Sequence, residues 1–237
     1  TMPSDITNVT QIPHVHAAHA TNERAGTGCT VIICPQGATG GVDVRGGAPA
    51  TRETDLLRPE ETVQELHAVV LAGGSAFGLA AACGVAEELE RRGIGLDVGV
   101  GRVPIVSGAC VFDLACGSAT ERPTAIMGAA ATKAALDGTA PLASGNVGAG
   151  TGCTVGKLAG PARAMKGGLG QCVRQAGELV CGAVSAVNAC GSIRDPTTGT
   201  PIAGMLDETG ARVLAPADAL AASLGVARGT VVTAFEQ

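Results

Sequence analysis

Apolar and polar positions fall into blocks along this chain, and the blocks differ in period. Residues 68–86 (AVVLAGGSAFGLAAACGVA) form an uncharged run of roughly the length that crosses a bilayer. Gly73, Gly74 and Ser75 interrupt it, so a strand, a glycine turn and a helix closed by EELERR and Gly93 account for the run better than a membrane span. Upstream, GCTVIIC, a PQGA turn and TGGVDVRGG read as two short β runs of a hairpin. Residues 52–61 are a charged loop in which Pro59 and two acids open a helical turn into VQELHAV. IGLDVGV and VPIVSGACVFDL are β-like, the second entered through Pro104. Pro123 takes the first helical position of PTAIMGAAATKAAL, which stops at Asp137 and Gly138 and is rich enough in Ala to pack closely on a sheet. Beyond it, GNVGAGTGCTVGK, KGGLGQ, ELVCGAVSAVNACGSI and a DPTTG turn into PIAGML continue the sheet. The heptapeptide AGTGCTV occurs at 25–31 and again at 149–155; it is either an internal duplication or, the reading this composition favours, two glycine turns that each feed a strand.

Composition narrows the functions open to such a chain. With 237 residues it is long enough for a buried core, and residues 1–237 are read as one domain. A charged fraction of 16% and a mean hydropathy of +0.31 exclude disorder. There is no Trp or Tyr, only Phe77, Phe112 and Phe235 are aromatic, and the net charge is -5, so nucleic acid is excluded as a partner. The N-terminus has neither a basic segment nor an apolar core, which leaves the cytoplasm as the expected compartment and no membrane as a partner. The nine cysteines are odd in number, form no C-x-x-C and sit among Ala, Gly, Val and Thr, where they are expected as small buried hydrophobes.

Candidate chemistry lies in the polar exceptions. His14, His16 and His19 form H-x-H-x-x-H, which a strand would split between two faces, so a solvated or locally bonded cluster is expected and no metal. His67, before a core strand, reads as structural. The segment ending at Lys157 suggests a phosphate loop, but Thr151 and Leu158 break the Walker pattern and Cys153 breaks the dinucleotide pattern, so no nucleotide cofactor is expected. What remains is a glycine-rich backbone presenting Lys157, either as a buried amine with lowered pKa or as a surface residue beside a turn. Gly74 and Ser75 lie at a strand-to-helix turn that departs from a nucleophile elbow at Phe77, yet the turn has N–H groups suited to an oxyanion or a carboxylate. Thr1, before Met2, is read as a remnant rather than a nucleophile. Asn188, inside the apolar AVSAVNACG, either satisfies backbone at a strand end or donates to an oxyanion. The final GTVVTAF is strand-like, and Glu236 and Gln237 follow without a cap, as though a terminal strand closed the sheet or more polypeptide followed.

In order, AHAT, AGTGCTV, GVDVRGGAP, TRETDLL, LAGGSAFGLAAA, VPIVSGACVFDL, GNVGAGTGCTVGK, KGGLG and AVNACG resemble the autoprocessed L-aminopeptidase/D-esterase (D-amidase) and beta-peptidyl aminopeptidase family, with its nylon-oligomer hydrolase relatives. The resemblance covers nearly the whole chain. It implies an α/β fold, a four-layer αββα sandwich, in which this sequence is the alpha chain and a second, beta chain from the same precursor begins with the nucleophilic Ser or Thr. It implies, further, that Lys157 and Asn188 are catalytic, Asn188 as oxyanion donor, and that Phe112 lies where some members carry a pocket Tyr. Gly74 and Ser75 complete the expected substrate pocket. The implied substrate is a small peptide, amide or ester, and the alpha/beta units are expected to assemble into homo-oligomers. Two alternatives stand beside this: an acyltransferase of the ornithine acetyltransferase type, which an added amine acceptor would reveal, and a non-enzymatic binder of small anions.

Overall fold

The computed structural model describes residues 6–226; Thr1 and the apolar run at 229–235 lie outside them. Its centre is a five-stranded sheet built from β1 (His16–Asn22), β2 (Thr27–Ala38), β3 (Thr51–Arg52), β4 (Leu66–Ala72) and, after the short pair β5 (Leu96–Asp97) and β6 (Arg102–Val103), β7 (Val106–Cys110), in the order β1-β2-β4-β7-β3. β1 and β2 form a tight antiparallel hairpin in which Thr21 faces Gly28. The 68–86 run divides as its glycines suggest: β4, a 3-10 turn at Ser75–Leu79, then helix α1 (Ala80–Arg91), after which Gly93 turns with φ +70°. α1 is the crossover that lets β7 return parallel to β4, with Val70 opposite Gly108.

Strict alternation gives the sheet two buried faces. Cys29, Val31, Ile33, Ala68, Val70, Ala72 and Val106 pack against α1 and α2 (Ala125–Asp137). Ala17, Ile32 and Leu71 point the other way, onto Leu169, Val173, Val180 and Val184 of a second hairpin. That hairpin is β10 (Gly168–Ala176) and β11 (Leu179–Val187), preceded by the short pair β8 (Thr154–Val155) and β9 (Met165–Lys166) and followed by the pair β12 (Ile193–Arg194) and β13 (Pro201–Ala203) and helix α3 (Pro216–Leu224). The described residues therefore stack as helix, sheet and sheet. Small residues permit the tight spacing: a Cβ on Gly84 would run into the Ala125 carbonyl, and one on Gly128 into that of Ala81. Arg92 ties the same two helices at their far ends, its Nε donating to Glu88 at 2.7 Å and its two terminal nitrogens to Asp137.

Several expectations are corrected. PQGA is not a turn, because β2 runs through it to Ala38 across an irregular register, and TGGVDVRGG is loop rather than a β partner. Gly46 in that loop sits at φ +93°, and two Gly-Gly pairs weaken any strand through backbone entropy. No helix opens at Pro59; a 3-10 turn at Asp55–Leu57 precedes a loop, and LHAV enters β4, where pairing on both sides outweighs helical propensity. Thr124 caps α2 by accepting from the Met127 N–H at 3.4 Å, which puts Pro123 before the cap and not in the first turn. The segments after residue 145 do not extend the first sheet but form three separate two-stranded pairs, of which β10 and β11 stack on it. Of the nine cysteines, Cys83, Cys172, Cys181 and Cys190 are exposed, Cys172 and Cys181 on the outward face of the second hairpin. Among the described residues no helix is long and apolar enough to cross a membrane.

Candidate active site

The glycine-rich run that ends at Lys157 is fastened at its start by threonines. Gly148 N–H donates to Thr21 Oγ1 at 2.8 Å and Ala149 N–H to Thr30 Oγ1 at 3.0 Å, and Thr30 Oγ1 lies 2.9 Å from His19 Nδ1. The first AGTGCTV copy meets the residue just before the second here: a Cβ on Gly28 would lie 2.6 Å from the Ala20 carbonyl oxygen and 2.9 Å from the Gly148 carbonyl carbon, so Gly28 must be glycine for this backbone contact. At the other end, Gly156 takes φ +73° and its N–H bonds the Gly191 carbonyl at 2.9 Å, while Lys157 N–H bonds that of Cys190 at 2.9 Å. These bonds hold Lys157 beside the chain leaving β11.

Asn188 lies just past the end of that strand rather than inside it. Lys157 Nζ donates to its Oδ1 at 2.8 Å and to its carbonyl oxygen at 2.9 Å. Oδ1 also accepts from Thr154 N–H at 3.0 Å, and Nδ2 donates to the Phe112 carbonyl at 2.8 Å. Three predicted residues, Lys157, Asn188 and Phe112, are thus brought together from separate parts of the chain. Beside them opens a cavity of about 330 Å³ whose walls include Phe112, Asp113, Thr154, Lys157, Met165 and Lys166. Burial lowers the Lys157 pKa from its ordinary value, with the Cys153 and Cys190 thiols opposing the shift. Burial pushes the Cys153 thiol up to about 11 and that of Cys110 to about 12, and Asp113 adds to both shifts.

Gly74 and Ser75 are not brought to this cavity. Gly74 N–H donates to Asp113 Oδ1 at 2.6 Å and Ser75 N–H to the Val111 carbonyl at 3.0 Å, so the turn holds the chain's own carboxylate. Asp113 is the residue that sequence reasoning missed. It is buried, its Oδ2 accepts from Thr27 Oγ1 at 2.6 Å, and its only sequence signal is an acid within the apolar VFDL.

The histidines stand elsewhere, along a larger cavity of about 510 Å³ at the β1 edge whose lining has no carboxylate. His14 is exposed, at φ +64°, and His19 bridges Thr30 and the Ala143 carbonyl. Burial lowers the His19 pKa. Among the described residues no cluster of three His, Cys, Asp or Glu is placed to hold a metal. His67 is buried, and its Nδ1 accepts from Ile105 N–H at 3.2 Å.

Known proteins share this arrangement of elements. The solved L-aminopeptidase D-Ala-esterase/amidase of Ochrobactrum anthropi, described as a variant of the Ntn hydrolase fold, superposes with a TM-score of 0.57 at 20% identity, over 79% of this chain and 56% of that one. A Burkholderia sp. beta-aminopeptidase does so with a TM-score of 0.53 at 24% identity, over 78% of this chain and 53% of that one. In sequence, an uncharacterized aminopeptidase of Mycobacterium tuberculosis is 47% identical over 201 residues, 82% of this chain and 54% of the relative. A 6-aminohexanoate-oligomer endohydrolase of Agromyces sp. is 34% identical over 84% of this chain and 53% of its own length. The chain thus spans about half the length of the curated relatives it matches. The family match itself runs from residue 4 to residue 234, nearly the whole sequence, and on that extent the chain belongs to peptidase family S58.

Proposed function

We propose that this chain forms the alpha part of a hydrolase that cleaves an N-terminal peptide bond, or a small amide or ester, through an acyl-enzyme. The nucleophile is the hydroxyl of a Ser or Thr that begins a second chain, cut from the same precursor, and that second chain adds the fourth layer of an αββα sandwich. The alpha/beta units assemble into homo-oligomers. The names of the relatives, an aminopeptidase and an oligomer endohydrolase, support an amide bond as the target.

The observation that carries the reading is the Lys157–Asn188 pair, of which Lys157 lines the cavity. A hydroxyl is a weak nucleophile, and a free α-amine with a pKa of about 8 can take its proton as it attacks the carbonyl. An ammonium has three N–H donors and an amide nitrogen two. Lys157 places two on Asn188, and Asn188 places one on Phe112. The third Lys157 donor steadies the attacking oxygen, and the second Nδ2 hydrogen of Asn188 receives the oxyanion. The protonated α-amine then gives its proton to the leaving amine, and water reverses the sequence to free the acid.

Lys157→Met in the full-length protein keeps the apolar stem and removes the charge. Precursor cleavage and amide turnover should both fall by about 10² or more, as when a group acting on transition-state charge is lost. Cleavage and turnover at the wild-type rates would leave Lys157 with no part in the chemistry and overturn the reading.

A further inference from the structure

Asp113 needs an explanation that the proposed chemistry does not supply. It is 3% exposed, on the wall of the cavity that Lys157 lines, yet each of its oxygens is already bonded within 2.6 Å, to Gly74 N–H and to Thr27 Oγ1. The surrounding chain leaves no room for a ligand to replace those bonds. A Cβ at Gly73 would overlap both Asp113 Oδ2 and Thr27 Oγ1, and one at Gly152 would lie 2.6 Å from Asp113 Cβ and 2.8 Å from Oδ2. Gly152 belongs to the second AGTGCTV and Thr27 to the first, while Gly73 and Gly74 come from the turn after β4. Three glycine-rich segments therefore close around one carboxylate of the chain itself.

That carboxylate stands next in sequence to Phe112, whose carbonyl accepts from Asn188 Nδ2. The backbone on either side is held as well: Val111 N–H bonds the Ala72 carbonyl at 2.8 Å, and Cys116 N–H bonds the Asp113 carbonyl at 2.8 Å. The Phe112 carbonyl is the acceptor that orients the Asn188 amide plane, and the same amide's Oδ1 holds the Lys157 ammonium. We infer that Asp113 is a positioning residue: by bonding the turn after β4 to the first AGTGCTV segment and packing against Gly152 of the second, it fixes the Phe112 carbonyl and, through it, the orientation of Asn188 and Lys157. This rests on the proposed role of Lys157 and Asn188, and it accounts for the threonine at 27 and the glycines at 73 and 152.

The mechanism is geometric, so the variants separate shape from charge. In Asp113→Asn the amide oxygen can still accept from Gly74 N–H, and the NH₂ can donate to the Thr27 hydroxyl, which turns to accept. Asp113→Ala removes both bonds. In the full-length protein, Asp113→Ala should lower kcat by about 10² with KM within a few-fold, the loss expected when a reacting group is misplaced by about 1 Å, and Asp113→Asn should recover most of it. The reactivity of Lys157 toward an amine-directed acylating reagent, read by peptide mass spectrometry, gives a second measure that needs no turnover. It should change several-fold in Asp113→Ala and stay near wild type in Asp113→Asn.

A folded Asp113→Ala protein with normal kcat, or with unchanged Lys157 reactivity, would overturn the inference. So would an Asp113→Asn protein as impaired as Asp113→Ala, since the charge itself would then be needed. Lys157→Met run in parallel distinguishes the two failures. If it abolishes turnover while Asp113→Ala does not, only the positioning role falls. If neither variant matters, the proposed site falls, and with it the role given to Asp113.

Discussion

Replacing Asn188 separates a scaffold from a catalyst, because its side chain makes three bonds and only one catalytic donor is claimed. Asn188→Ala deletes the Oδ1 bonds from Lys157 and Thr154 and the Nδ2 bond to Phe112. A bond to a charged group contributes about 1.5 to 3 kcal/mol and a neutral one about 1 kcal/mol. Asn188 is half-buried, so water recovers part of this, and Lys157 keeps its bond to the backbone carbonyl of residue 188. A net loss of about 2 to 3 kcal/mol is expected, or roughly 5 to 10 °C in melting temperature for a chain of this size. Asn188→Asp is the informative partner. It keeps an acceptor for Lys157 and Thr154 and gives Lys157 an ionic partner, but it faces the Phe112 carbonyl with an oxygen and donates nothing. Its stability should stay within about 1 kcal/mol of wild type, the size of the one neutral bond lost. Both variants lack the N–H proposed for the oxyanion, so in both kcat should fall by about 10² to 10³ with KM little changed. The assay is steady-state amide hydrolysis beside thermal melting of the same preparations. An Asn188→Asp enzyme that melts normally and turns over within a few-fold of wild type would refute the donor role and leave Asn188 as scaffold.

Two predictions concern the fold. Gly84→Ala should lower stability by about 1 to 3 kcal/mol, as overpacking does, because the new Cβ meets the Ala125 carbonyl and α2 must move; an unchanged melting temperature would mean the helices are not in backbone contact. Bonds from Arg91 first, and then Arg92, lower the Glu88 pKa from 4.5 to about 2, so its contribution is complete above pH 4.5 and is lost as the pH falls through about 2. Glu88→Gln should therefore cost about 1 to 2 kcal/mol at pH 7 and much less near pH 2, and a loss equal at both pH values would contradict that linkage.

The elements that apolar period could reveal were legible: β4, α1, β7 and α2 follow from Val, Ile and Ala spacing and from Gly93 and Gly138 as stops. The misread loop at 39–50 has the same alternation, in Val42 and Val44, but no neighbour to pair with, and pairing is a tertiary fact. The candidate site was legible residue by residue and not as a constellation. Lys157 and Asn188 lie 31 residues apart, and Asn188 and Phe112 lie 76 apart, distances over which spacing carries no information. Gly74 and Ser75 are expected at a substrate, whereas Gly74 N–H donates to Asp113 and Gly73 makes room for it, and one acid in an apolar strand end gives little warning of that.

In the proposed reaction the nucleophile comes from polypeptide outside these 237 residues and works against Lys157 and Asn188. Acyl trapping tests it most directly: the full-length protein is incubated with a slowly deacylating ester, quenched in acid, digested and mapped by mass spectrometry. One acyl group is expected, on the N-terminal Ser or Thr of a second chain, and it should be lost in Lys157→Met. An acyl group on Ser75 or on any other residue of 6–226, or full activity from an uncut chain, would contradict it.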